Sequence, residues 1–195
     1  IRPLRKGVIA DFIAAEMMIR GLVGKASTKN KWFNPSMRMV VGIPSGSTEV
    51  EIRAVRDSSE HAGGRDVYML YEPMAAALGI GIDVVAPEGN MIVDIGGGTT
   101  EIAVISLGGI VSNKSIQIAG DDLTVDIQEH MRRVHNVRVG ERTAELIKMN
   151  VGSALTDLDN PPKDYVVHGP NVMTALPMEV PVSYQEISHC IEKSI

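Results

Sequence analysis

The chain has 195 residues, 44% of them hydrophobic, which is enough to bury a core in one or two domains and excludes a disordered chain. Its 19 basic against 24 acidic residues leave a formal charge of -5, which argues against broad attachment to nucleic acid through phosphates. The single cysteine, Cys190, rules out an internal disulfide and fits a reducing compartment, with cytoplasm the expectation, and no run nears the ~20 apolar residues of a membrane span or the layout of a signal peptide.

Apolar Ile9, Phe12, Ile13 and Met17 recur at helical spacing, predicting an amphipathic helix from Gly7 to about Gly24. A polar loop, Lys25 to Ser36, follows and carries Lys25, Lys29 and Lys31 with the pair Trp32 and Phe33. Met39, Val40, Val41 and Ile43 then predict a buried strand that stops at Pro44. Thr48 and Glu51 form a capping box that opens a helix to about Ala62, closed by Gly63 and Gly64. A second strand, Val67 to Leu70, leads into Glu72, Pro73 and an alanine-rich helix.

After Gly79 and Gly81 the alternation of helix and strand gives way to three strands separated by glycine turns. They are Asn90 to Ile95, Thr100 to Ser106 and Ile110 to Ile118, an antiparallel meander. Helices are expected at Asp121 to Arg133 and Glu141 to Asn150. Short strands near Tyr165 and Met178 follow, then a last helix capped by Ser183 with Glu186. The stretch Ala86 to Asn90, with Pro87 and Gly89, is the expected junction between two α/β lobes.

The sharpest chemical signal is Asp94-Ile95-Gly96-Gly97-Gly98-Thr99-Thr100-Glu101, set between two apolar strands. Glycines without Cβ atoms can take positive φ and turn their amides toward an anion, as a phosphate nest requires. Gly96, Gly97, Gly98, Thr99 and Thr100 are therefore candidate phosphate contacts. An acid beside phosphate is coherent if Asp94 holds a hydrated Mg²⁺, which leaves Thr99 to position a water. An ordinary glycine hairpin with a solvated aspartate is the alternative. A P-loop or a dinucleotide fingerprint does not fit, because each needs a helix after its glycines and here a strand follows.

Strand, acid, triple glycine, strand is the arrangement of the second phosphate loop in the actin, hexokinase and DnaK-type chaperone superfamily. With Pro44-Ser45-Gly46, Glu72-Pro73-Met74-Ala75-Ala76-Ala77, Ile105 to Val111 and Gly140 to Glu145 in the same order, the whole chain resembles the MreB family. The resemblance implies an α/β, actin-like ATPase (ribonuclease H-like) fold of two lobes, incomplete at both ends. A first phosphate loop is expected upstream of Ile1 and an adenosine-binding segment downstream of Ile195. Residues 1–85 would be the remainder of a first large lobe, 86–121 with 186–195 part of a second, and 122–185 a small subdomain.

The implied function is slow, Mg²⁺-dependent ATP hydrolysis coupled to polymerisation into homopolymeric filaments. They would lie on the inner membrane surface with the cell-wall elongation machinery and set cell shape. A DnaK-type chaperone and a filament subunit without turnover are the rivals. The resemblance implies that Glu72 positions the attacking water with Thr99; simple capping of a helix N-terminus is the alternative. Tyr71, just before it, departs from the acid of the family pattern.

Glu141, Glu145 and Lys148, spaced four and three apart, share a helix face. Resemblance makes them the nucleoside contact, and a surface Glu–Lys pair is the plain alternative. Trp32 and Phe33, beside lysines, resemble a membrane-insertion loop, against the alternative that both rings pack under the next strand. His61, His130, His135, His168 and His189 show no ligand spacing among themselves or with Cys190, so no metal beyond magnesium is expected.

Overall fold

In a computed structural model that describes residues 3–6, 8–26 and 37–195, the first pattern resolves into a short two-strand ladder followed by one helix. Strands β1 (Leu4–Arg5) and β2 (Val8–Ile9) pair antiparallel, and helix α1 runs Phe12–Ala26. The helix starts later than its periodicity suggests. Residues 8 and 9 are held in the small ladder, and Asp11 Oδ1 then accepts the Ala14 amide at 3.0 Å, satisfying one of the free donors of the first turn. Trp32 and Phe33 lie outside the described residues.

Strand β3 (Met37–Ile43), helix α2 (Glu49–His61) and strand β4 (Gly64–Tyr71) form a β-α-β unit with the strands parallel and in contact. The capping box is present: the Thr48 amide donates to Glu51 Oε2 at 2.7 Å, and the Glu51 amide donates to Thr48 Oγ1 at 3.3 Å. Small residues let α2 lie close to the strands. Ser59 is buried, its hydroxyl donating to the Val55 carbonyl, and a Cβ on Gly64 would stand 3.0 Å from the Ser59 carbonyl. Strand β4 passes directly into helix α3 (Glu72–Gly79), whose early proline costs no hydrogen bond.

The meander follows as β5 (Asn90–Ile95), β6 (Thr100–Ser106) and β7 (Gly109–Ile116), in that spatial order and antiparallel. Along β6, Glu101, Ala103 and Ile105 alternate inward and are buried. Ala77 of α3 packs with Ile92 and Ile105 in one apolar cluster. The other face of β5 presents Met91, Val93 and Ile95 to solvent.

Contacts divide the chain into two compact units, residues 1–117 and 118–195. The stretch 86–90, expected as a junction, lies inside the first unit. Its neighbours are fastened there, because Leu107 and Gly108 donate to the carbonyls of Ala86 and Val84 and α3 packs on the meander.

The second unit holds α4 (Gly120–Val134), α5 (Glu141–Val151), β8 (Tyr165–Pro170), β9 (Pro177–Val182) and α6 (Tyr184–Ile191), with a 3₁₀ turn at Glu192–Ser194. Ile127 and Met131 of α4, Ile147 of α5, Val167 and Val182 of the hairpin and Ile187 of α6 share its core, all at most 1% exposed. No helix among the described residues is long and apolar enough to cross a membrane.

Candidate functional site

Hairpin register decides what surrounds the triple glycine. Asp94 pairs with Glu101 and Ile95 with Thr100, so Gly96 to Thr99 form the turn, closed by the Gly96 amide donating to the Thr99 carbonyl at 2.9 Å. Among the described residues of this unit, the left-handed glycines are Gly63, Gly81 and Gly108, not Gly96. At Gly96 the missing side chain supplies room instead, since a Cβ there would stand 3.2 Å from the Thr99 carbonyl oxygen. The expectation of positive φ is thus replaced by close backbone approach.

Directly opposed residues of a sheet share a face, so Asp94 on β5, Glu101 on β6 and Ser115 on β7 line up across the meander. Glu101 is 1% exposed, and an ionised carboxylate so placed needs donors. Ser115 Oγ donates to its Oε1 at 2.5 Å, while the Ser45 amide, at 3.0 Å, and the Ser45 hydroxyl both donate to Oε2. Asn113 Nδ2 donates to the Ser45 carbonyl at 3.3 Å. The Pro44-Ser45-Gly46 loop is thereby tied to the meander, and Gly46 allows it, since a Cβ there would meet the Ser115 Cβ at 3.1 Å.

Glu72 opens α3 at the end of β4, with no side-chain cap from Tyr71. Its side chain lies over Gly42 of β3, where an added Cβ would stand 3.4 Å from Glu72 Cγ. Burial pushes the Glu72 carboxyl above the usual glutamate range, and the negative charges of Glu101 and then Asp94 push the same way. The fold therefore brings Glu72, Asp94 and Glu101 within electrostatic reach of one another, on the side of the hairpin that carries the glycine turn. Thr99 lies in that turn, partly buried, and Thr100 is buried at the start of β6.

Glu141, Glu145 and Lys148 belong to the second unit, on α5. Lys148 Nζ is 2.7 Å from Glu145 Oε2 and donates to the Gly120 carbonyl at 2.8 Å and to Thr124 Oγ1 at 3.1 Å. Thr124 Oγ1 in turn lies 2.7 Å from Glu145 Oε2. The pair is thus engaged with the first turns of α4 and is more than a solvated i,i+3 contact. Glu141 is exposed in the first turn of α5.

Sequence reasoning missed Glu101 and its two serines as a structural unit. The signal was present in the hairpin: counting back equally from the glycine turn puts Glu101 opposite Asp94, on the inward face with Ala103 and Ile105. Ser45 and Ser115 left no such trace, because 56 and 14 residues separate them from Glu101.

The family model for MreB/Mbl protein matches residues 1–195. The chain is 39% identical over 195 residues to the cell shape-determining protein Mbl of Bacillus subtilis and 41% identical over 195 residues to the cell shape-determining protein MreB of Escherichia coli K12. All of this chain is covered in both alignments, and 57% and 55% of those proteins. Among solved structures, MreB5 of Spiroplasma citri bound to AMPPNP matches with a TM-score of 0.89 at 34% identity, over 100% of this chain and 57% of that one. The chain thus spans little more than half the length of the relatives it matches.

Proposed function

Because the chain belongs to the MreB/Mbl family and has an actin-like α/β fold, we propose that its protein binds ATP with Mg²⁺ and hydrolyses it slowly to control polymerisation into filaments. The observation that carries the proposal is the half-buried Glu72 carboxylate, placed near Asp94 and Glu101 beside a hairpin turn that packs backbone on backbone. The MreB5 relative carries AMPPNP in one solved form and ADP in another, which supports a nucleotide as ligand.

The donor set fits a hydrated hard cation. Asp94 offers a carboxylate beside a turn in which a Cβ at Gly96 would crowd the Thr99 carbonyl, and oxygen is what Mg²⁺ takes. Asp94 would hold the ion, whose contribution is to neutralise phosphate charge. Gly96, Gly97, Gly98, Thr99 and Thr100 would face the phosphates with amides and hydroxyls. Glu72, holding its proton more tightly than a free glutamate, is suited to orient a water with Thr99 and to accept its proton. On α5, Glu141, Glu145 and Lys148 would serve the nucleoside, the latter two already oriented by Thr124 and Gly120.

In the same proposal the filaments run along the inner membrane surface in the cytoplasm with the cell-wall elongation machinery and set cell shape. Trp32 and Phe33 would supply the membrane contact, supported by their sequence setting alone. Residues 1–85 would belong to one large lobe, 86–121 with 186–195 to a second, and 122–185 to a small subdomain.

The test is phosphate release and sedimentation by the whole protein with ATP, Mg²⁺ and anionic lipid vesicles. Thr99→Ala and Glu72→Ala are each expected to slow hydrolysis by about 10²-fold or more while leaving nucleotide binding in place. Hydrolysis at the original rate in either variant would remove the water-positioning roles. Nucleotide binding and filaments without phosphate release would make the protein a subunit without turnover.

A further inference from the structure

Sequence spacing gave the histidines no common ligand, yet the fold gathers two of them on a carboxylate. His130 lies on α4 and His135 is its C-cap residue, five positions on, which in a straight helix would set the side chains about 140° apart. His135 has left the regular helix, and its ring turns back to stand edge-to-face with that of His130, centroids 6.0 Å apart. Glu186, in the first turn of α6, reaches into the same space from 56 and 51 residues away in sequence. Its Oε1 lies 2.6 Å from His130 Nε2 and also contacts His135 Nε2.

We propose that His130 Nε2, His135 Nε2 and Glu186 Oε1 form a binding site for a divalent transition-metal ion of borderline softness, such as Zn²⁺, Co²⁺ or Ni²⁺. One donor atom from each residue converges, and all lie within 4.8 Å of one another. Two imidazoles and a carboxylate make the three-ligand set that leaves a further position for water, and nitrogen donors select against Mg²⁺ and Ca²⁺. Bond lengths of roughly 2.0–2.2 Å place tetrahedral ligand atoms about 3.3 Å apart, so Glu186 Oε1 needs to part from each imidazole nitrogen by under about 1 Å.

The scaffold under the three residues is stiff. Ile127 and Met131 flank His130 on α4, and Tyr184 and Ile187 flank Glu186 on α6, all in the core of the second unit. The Glu186 amide is held by Ser183 Oγ at 3.2 Å. The three side chains are themselves only 20–24% exposed, enough for an ion to enter and too little for them to be loose surface groups. The ion would staple the C-terminal end of α4 to the start of α6. This site shares no residue with the one assigned to nucleotide, so either can fail alone.

The experiment is a titration of the purified chain with Co²⁺, read by visible absorption, followed by displacement with Zn²⁺. One equivalent is expected to bind with the intense bands of a low-coordinate site, and Zn²⁺ to abolish them and raise the Tm. His130→Ala, His135→Ala and Glu186→Gln, checked for folding by circular dichroism, are each expected to weaken Co²⁺ binding at least about tenfold, since losing even an outer-shell partner costs roughly 10–100-fold. His189→Ala should bind normally, because His189 is exposed and its Nδ1 faces the Gln185 carbonyl. Nitrogen-15 NMR of the wild-type histidines needs no variant: Zn²⁺ should shift the Nε2 signals of His130 and His135. Absence of stoichiometric Co²⁺ bands, unchanged affinity in a folded ligand variant, or Zn²⁺ shifts confined to other histidines would overturn the site.

Discussion

Glu101 shows how a buried charge is made tolerable. With both oxygens taken by hydroxyls and an amide, its removal leaves the partly buried Ser45 and Ser115 as donors without their acceptor. Glu101→Ala is expected to lower stability by about 2–4 kcal/mol in chemical denaturation, and Ser115→Ala by about 1 kcal/mol. A loss under about 1 kcal/mol in Glu101→Ala would show that this carboxylate does not hold the loop.

Glu72 behaves in the opposite sense. Its folded pKa is raised, so the stability tied to its protonated form is present below the ordinary glutamate pKa and lost as pH rises through the folded value. Glu72→Gln, neutral at every pH, should therefore gain on wild type as pH rises from 4 to about 8, read as the difference in urea midpoints. A constant difference would mean that the carboxyl does not feel its neighbours. At this scale the sequence named Glu72 and Asp94 but not what burial does to them. Partners such as Ser45 are set by the packing of a distant loop, which no local pattern encodes.

Elements were the most legible level, because their signals are local. The Thr48–Glu51 box, the early proline of α3 and the alternation in β6 each specify a boundary or a face within a few residues. The start of α1 was not legible, since two-residue strands are too short to leave a period. The β6–β7 turn shows a local compromise. Leu107 and Gly108 both have positive φ, 52° and 76°, as the two central residues of a primed hairpin turn do, and leucine is poorly suited to that position. Leu107 is 72% exposed, so little packing depends on it. Leu107→Asn is expected to stabilise the chain by about 0.5–1 kcal/mol, and a drop in Tm would contradict the turn assignment.

The whole chain is uneven in how its two units are held. The second gathers three helices and a hairpin around one continuous core, whereas the meander of the first leaves Met91, Val93 and Ile95 facing water. Hydrogen exchange of the 195-residue chain should accordingly show deeper protection in α4, α5 and α6 than in β5 and α3. Equal protection in both would mean that the chain unfolds as one cooperative body. Composition changes at 86–90, where helix–strand alternation ends, whereas contacts divide at 117/118, because the packing of α3 on the meander is not written in composition.

The seam at Glu101 adds a mechanical consequence. A loop pinned to two neighbouring strands by three hydrogen bonds, with Gly46 pressed against Ser115, cannot drift alone. The opening turn of α2 and the root of the glycine hairpin therefore travel as a lever and its fulcrum, and a push on either is delivered to the other.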